Sequence, residues 1–170
     1  MAVTQDKLSS DRVRLGLSEP TINKVIAELN SILADAQVLY FMTRHCHWNV
    51  IDPRFIQLHK FFEEQYEELA EATDVLAEHI RSFGRFAPSS MKEYLRLTSL
   101  KEINQELSGD DMIEVLAQGH ETCLQNLRKA IKKIEALGDV STVDVLTDRI
   151  REHQKTAWML RSHLGGHING

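Results

Sequence analysis

One histidine and four carboxylates fall on a single helical stripe between residues 59 and 78. Counting about 100° per residue from His59, Glu63 lies at about 40°, Asp74 at about 60°, Glu67 at about 80° and Glu78 at about 100°. No Lys or Arg stands between Glu63 and Glu78, so the usual i,i+4 ion-pair lacing is missing. Like charges at this spacing repel, and a cation held among them relieves the repulsion. A solvated acidic face is the plainer alternative. Carboxylates combined with imidazole suit iron, manganese or zinc, whereas an all-oxygen set suits calcium or magnesium. Glu63 and Glu78 are fifteen residues apart, roughly 22 Å along a helix, so one chain cannot place both on the same ion. Intrachain di-iron bundles use Glu-x-x-His on paired helices, and no histidine here has Glu three positions earlier. A site of high coordination therefore needs a second copy of this helix, crossing antiparallel about a two-fold axis. His59 and Glu63 of one chain would then meet Asp74 and Glu78 of the partner subunit.

His47 lies near the end of the preceding segment, on the same arc as its apolar residues. It is either a hydrogen-bonded core histidine or a further ligand. Its place before Trp48-Asn49-Val50, twelve residues ahead of His59, favours the ligand. Histidine is plentiful, with 8 in 170 residues.

Four long segments of helical periodicity must position these residues. The first runs from about Glu19 to Trp48, with Ser18 as N-cap, Pro20 in its first turn, and Ile22, Val25, Ile26, Leu29, Leu33, Ala36 and Tyr40 on one arc. Asp52-Pro53 breaks the chain. The second runs from about Arg54 to Phe83 and stops at Gly84, with Phe62, Tyr66, Leu69, Thr73, Leu76 and Ile80 as its core stripe. The third runs from Asp110 behind Ser108 to Leu137. The fourth opens on Ser141 as N-cap, with Asp144 three residues on, and reaches about Leu164. Short turns join the segments pairwise into two antiparallel hairpins. Residues 85–108 form one long crossover carrying a short amphipathic piece, Ser90–Leu95, with Ser90 and Glu93 spaced as a capping box. One long crossover makes the expected fold all-α, a ferritin-like four-helix bundle over residues 19–164, with tails at 1–18 and 165–170.

Composition agrees with one domain. Residues are 42% hydrophobic and 26% charged, with only 8 Gly and 3 Pro, which argues against a β-sandwich or a disordered chain. A formal charge of −5 gives no surface built for nucleic acid or anionic lipid. No apolar stretch approaches the roughly 20 residues of a membrane span, and the N-terminus lacks a signal-peptide pattern. The two cysteines, Cys46 and Cys123, fit reduced, buried thiols of a cytosolic protein rather than ligands or a disulfide scaffold.

The run His47-Trp48-Asn49-Val50, then Phe55 and His59, then Phe62-Glu63-Glu64-Gln65-Tyr66-Glu67-Glu68, then Asp74 and Glu78, resembles the signature of the Dps family of mini-ferritins. The likeness extends to Ala157-Trp158-Met159-Leu160-Arg161 and covers nearly all of residues 20–164. It implies a cytoplasmic, hollow cage of twelve subunits with di-iron ferroxidase sites shared between two-fold-related copies. His47, His59 and Glu63 would come from one subunit, Asp74 and Glu78 from its neighbour. The implied reaction is oxidation of Fe(II), preferentially by hydrogen peroxide rather than oxygen, with ferric mineral stored inside and oxidative damage averted. Trp48 would lie beside the site as an electron donor or as packing at the two-fold contact. Glu64 and Glu67 would nucleate mineral or simply be exposed. Asp139, Asp144 and Asp148 would line three-fold pores that draw in Fe(II), with Asp144 also a cap.

The chain departs from the family pattern in three respects. Glu63 stands where the family usually has Asp, so its carboxylate reaches one methylene further. His79, His153, His163 and His167 have no family role and are expected at the surface, although His79 or His163 could supplement the site and favour zinc as a competitor. The N-terminal residues balance Lys7, Arg12 and Arg14 against Asp6, Asp11 and Glu19. Few phosphates would be neutralised, so no stable DNA complex is expected at physiological salt and neutral pH. The alternatives to a ferroxidase are a DNA-compacting protein and a zinc-occupied structural cage.

Overall fold

The computed structural model describes residues 13–165, so residues 1–12 and 166–170, with most of both expected tails and His167, lie outside the described residues. Among the described residues there are five helices and no strand: α1 Glu19–Asn49, α2 Phe55–Ser82, α3 Met91–Leu97, α4 Gly109–Glu135 and α5 Val140–His163. α1 pairs with α2 and α4 with α5, while α3 lies in the crossover and packs on α1. This is the expected ferritin-like order.

Local signals set most helix ends. Ser18 accepts from the Thr21 amide at 3.3 Å with Pro20 in the first turn, and Ser108 accepts from the Asp111 amide at 3.2 Å. Ser90 and Glu93 form the short helix's capping box: the Glu93 amide donates to Ser90 Oγ, and that hydroxyl donates to the Glu93 carboxylate at 2.8 Å. Gly84 and Gly138, just past α2 and α4, have φ of 70° and 80°, a region where other residues are strained. The start of α5 differs from the sequence expectation. Asp139, not Ser141, is its N-cap, accepting from the Thr142 amide at 3.3 Å. Ser141 instead donates to Asp139 Oδ1 at 2.8 Å, and Asp144 takes no part in the cap.

Two apolar clusters fill the bundle. One gathers Leu39, Met42, Leu58, Phe62, Ile113, Leu116 and Leu160 around the α1–α2 turn. The other gathers Val25, Leu29, Leu76, Ile80, Leu127, Ile134 and Leu146 at the opposite end. The expected core positions are buried except Tyr40, Tyr66 and Thr73, which are half-buried at the stripe edges. Cys46 and Cys123 are buried free thiols. Burial pushes the Cys46 thiol up to about 12, and burial with Asp35 nearby pushes Cys123 up too.

Against the expectation that no stretch is apolar enough, α1 passes as a membrane span by length and composition, with a window of mean hydropathy 1.3. In the fold, 61% of that window is buried within the bundle. The apolar run is accounted for by helix packing.

Between the two clusters runs a buried polar layer. Asp35 on α1 ties down the crossover, accepting from Thr98 Oγ1 at 2.8 Å and the Ser99 amide at 2.7 Å, and from Asn126 Nδ2 on α4 at 2.9 Å. Arg149 on α5 clamps Glu68 on α2 with its two terminal guanidinium nitrogens. Beside it His120 and His153 bond to each other at 2.8 Å. His153 is only 3% exposed, against the surface position expected for it.

Candidate metal centre

The α1–α2 turn brings His47 and His59 face to face. Asp52 shapes that turn by accepting from the Arg54 amide and side chain at 2.8 Å, which holds its carboxyl down at about 2. Arg54 also reaches Asp110 at 2.7 Å, fixing the turn to the start of α4. The two imidazoles stack at 3.8 Å with 23° between their planes. Each ring bonds the other residue's backbone: His47 Nδ1 to the His59 carbonyl at 2.8 Å, and His59 Nδ1 to the His47 carbonyl at 3.0 Å. A carbonyl only accepts, so both Nδ1 atoms carry hydrogen. In the neutral rings both Nε2 atoms then hold a free lone pair, a tautomer that lets Nε2 ligate a metal.

Aromatic neighbours fix these rings. Phe55 stacks on the second face of His59 at 5.0 Å, and Tyr66 sets its edge against His47 at 5.1 Å. The Tyr66 hydroxyl donates to Glu63 Oε1 at 3.3 Å, linking the carboxylate to the histidine pair. Burial, with the negative charge of Glu63, raises the phenol's pKa. The Arg44 guanidinium lies 4.4 Å from the centre of the Trp48 ring, and also faces Tyr40 and Tyr66. Trp48 itself is 61% exposed.

The rest of the stripe behaves as helix geometry requires. Glu63 is half-buried, while Glu64, Glu67, Asp74 and Glu78 are exposed on α2. Asp74 lies eleven residues beyond Glu63, roughly 16 Å along the axis. Within one chain Tyr66 meets both His47 and Glu63, His59 stacks on His47, and Asp74 and Glu78 lie further along α2. Among the described residues, no three or more His, Cys, Asp or Glu side chains are disposed to hold a metal ion.

The other candidate residues divide. Asp144 and Asp148 are exposed one turn apart on α5, Asp148 paired with Arg151. Asp139 differs from them: it is buried, and its carboxylate is taken by the cap and by Thr142 Oγ1 at 2.6 Å. Burial alone would raise its pKa, but the bonds from Thr142 and Ser141 outweigh this and lower it. His79, expected at the surface or as an extra ligand, is half-buried with Nε2 on Thr142 Oγ1 at 2.8 Å, and burial lowers its pKa against the pull of Asp139. That nitrogen is engaged in a hydroxyl bond. His163 is exposed as expected and rests on Phe61 at 5.0 Å. Sequence reasoning missed the supporting group of Arg44, Phe55 and Tyr66. Arg44 and Trp48 share an i,i+4 spacing, as do Phe55 and His59, and that regularity was the available signal.

This geometry is that of a ferritin-like bundle, and the chain matches the Ferritin-like domain family over residues 26–166. Among curated relatives, an uncharacterized low temperature-induced protein of Nostoc sp. is 38% identical over 157 residues, covering 91% of this chain and 88% of that one. DNA protection during starvation protein 2 of Bacillus anthracis is 36% identical over 141 residues, covering 83% and 97%. The crystal structure of the Dps protein from Vibrio cholerae O1, described as a member of a broad superfamily of ferritin-like diiron-carboxylate proteins, superposes with a TM-score of 0.85 at 33% identity. It covers 90% of this chain and 96% of its own. The chain belongs to the Dps family.

Proposed function

We propose that this chain is a ferroxidase and iron-storage protein that acts in the cytosol as a cage of twelve copies. Fe(II) is its substrate. The observation that carries this reading is the reciprocal His47–His59 bonding, which leaves both Nε2 lone pairs free next to Tyr66, the residue that bonds Glu63, while the chain's own ligand set is incomplete. Asp74 and Glu78 of the partner subunit complete the set when a second α2 crosses antiparallel. Two Fe(II) each give up one electron, hydrogen peroxide takes both and with two protons leaves as two waters, so no hydroxyl radical is released. Glu64 and Glu67 then offer carboxylates to ferric mineral, and Asp144 and Asp148 draw Fe(II) to a pore. Trp48, under the Arg44 cation, packs beside the site.

The chemistry of two imidazoles and carboxylates also suits zinc, which is expected to compete for the site. The test is anaerobic Fe(II) oxidation after peroxide addition, in wild type and in the His47→Ala/His59→Ala double variant, with the assembly sized by chromatography. Fast oxidation in a twelve-copy cage, lost in the variant, supports the reading. Equal rates in the two proteins refute it. A mobility shift of duplex DNA at about 150 mM salt would refute the companion proposal that the cage holds no DNA stably under those conditions.

A further inference from the structure

The His120–His153 contact lies in the bundle's central polar layer, away from the iron site, and its hydrogen bookkeeping is restrictive. The two Nδ1 atoms are 2.8 Å apart, with the rings inclined by 57°. Both residues are nearly sealed, His120 at 2% and His153 at 3% exposure. A bond between two ring nitrogens needs one to donate and the other to accept, so it requires one Nδ1 without hydrogen. His120 Nε2 is also buried and has no partner. A first added proton therefore places a full charge in a sealed site beside the Arg149 cation. A second leaves hydrogen on both Nδ1 atoms and breaks the bond.

The surrounding charges do not welcome that proton. Arg149, one turn before His153 on α5, is buried beside the pair and is already a cation. Glu68 from α2 is committed to Arg149. Asp35 from α1 lines the same small cavity as Arg149, Cys123 and His153, about 10 Å³ in volume, but its oxygens are occupied by Thr98, Ser99 and Asn126. Cys123 on α4 is a neutral thiol. Glu121, next to His120, faces Arg161.

We propose that the His120–His153 pair is an acid-sensitive latch across the α4–α5 seam, closing the bundle only while both rings are neutral and releasing α5 from α4 when protons are forced onto them. Burial, with Arg149 close by, lowers His120 to about 3 and His153 well below its usual value. The sign follows. Above about pH 6.5 the rings are neutral whether the seam is open or closed, and stability is whole. Below it, only the open or unfolded chain takes up protons, so stability falls as pH falls. At pH 5 each histidine favours the open form by about thirty-fold, or about a thousand-fold for both.

The test uses the assembled full chain. Hydrogen exchange at the imidazole C2 carbon, read by mass spectrometry, reports the titration of each histidine separately. His120 and His153 are expected to show no titration between pH 5 and pH 7.5. Titration of both rings near pH 6.5 in the folded protein overturns the proposal. In parallel, amide exchange in the middle of α4 and α5, corrected for intrinsic rate, gives the opening ratio. Wild type should open between ten-fold and a thousand-fold more at pH 5 than at pH 7.5, and the His120→Asn/His153→Asn variant at least ten-fold less steeply. The same acid response in both proteins also overturns the proposal. If the variant does not fold, the C2 measurement on wild type decides alone.

Discussion

Replacing Asp35 by Ala should destabilise the bundle by about 3 kcal/mol, without touching the proposed iron site. Asp35 is fully buried and joins α1, the crossover and α4 through its hydrogen bonds. Four donors converge on it, the Thr98 and Ser99 hydroxyls, the Ser99 amide and Asn126 Nδ2, but they do not suffer equally. Thr98 Oγ1 keeps its bond from the Leu100 amide at 3.0 Å, and Asn126 Nδ2 keeps Ser99 Oγ at 2.8 Å. The Ser99 amide, 2.7 Å from Asp35 Oδ1, has no other partner shown. Its orphaning costs about 1–3 kcal/mol, and weakening the remaining polar bonds adds about 1 kcal/mol each. Release from burying a carboxylate offsets part of this. Asp35→Asn keeps an acceptor for Thr98 and Ser99 but turns an amide toward Asn126 Nδ2, so it should lose only about 1 kcal/mol. Urea unfolding, with the midpoint converted at constant slope, measures both. An Asp35→Ala loss under about 1 kcal/mol, or an Asn variant as damaged as the Ala variant, would refute the anchoring role.

Further outcomes are expected at α5 and at Tyr66. Asp139→Ala should lower stability by about 1 kcal/mol through loss of the helix cap, seen in thermal unfolding, and leave iron uptake unchanged. Asp144→Asn with Asp148→Asn should do the reverse, slowing Fe(II) uptake up to about ten-fold at low salt while stability stays within about 0.5 kcal/mol. Equal effects of the two changes on uptake would return Asp139 to the pore. Tyr66→Phe removes only the bond to Glu63, so stopped-flow iron oxidation should slow several-fold rather than vanish; abolished activity would make Tyr66 more than a positioning residue.

Helix number, helix lengths and the crossover were legible because each rests on local signals: Ser18, Ser90 and Ser108 as caps, glycines past α2 and α4, and long apolar stripes. The α5 cap was not, because Asp139 and Ser141 are both competent cap residues two positions apart. Gly138 turns the chain so that Asp139 reaches the Thr142 amide first. His153 carried a signal that was overlooked. It stands seven residues from both buried Leu146 and buried Leu160, on the face those leucines define. A histidine on a core stripe is buried whatever its polarity, provided another chain segment satisfies it, and His120 does so here. The His47–His59 bonding lay beyond sequence. The spacing put the two residues near the same turn, but which nitrogen met which carbonyl depends on how α1 leans on α2, set by Asp52, Arg54 and Asp110.

The two histidine pairs show how partner type decides what an imidazole can do. His47 and His59 each donate to a backbone carbonyl, which can never give a hydrogen back, so both rings are held in the form with Nε2 free. On the proposed reading, those lone pairs are the ones offered to a metal ion. His120 and His153 donate and accept between themselves, with Arg149 alongside, so a cation approaching them meets one consumed lone pair and a fixed positive charge. The first pair stands at the end of a stripe of carboxylates with Trp48, Ile51, Phe55 and Ile56 exposed, an apolar margin that on the proposed reading a second copy of the chain covers while bringing its own Asp74 and Glu78. The second is enclosed by its own four helices and has no such opening. The same residue type in one small bundle thus keeps a free ring nitrogen on each ring where its partners are carbonyls, and is closed to added charge where its partner is another imidazole.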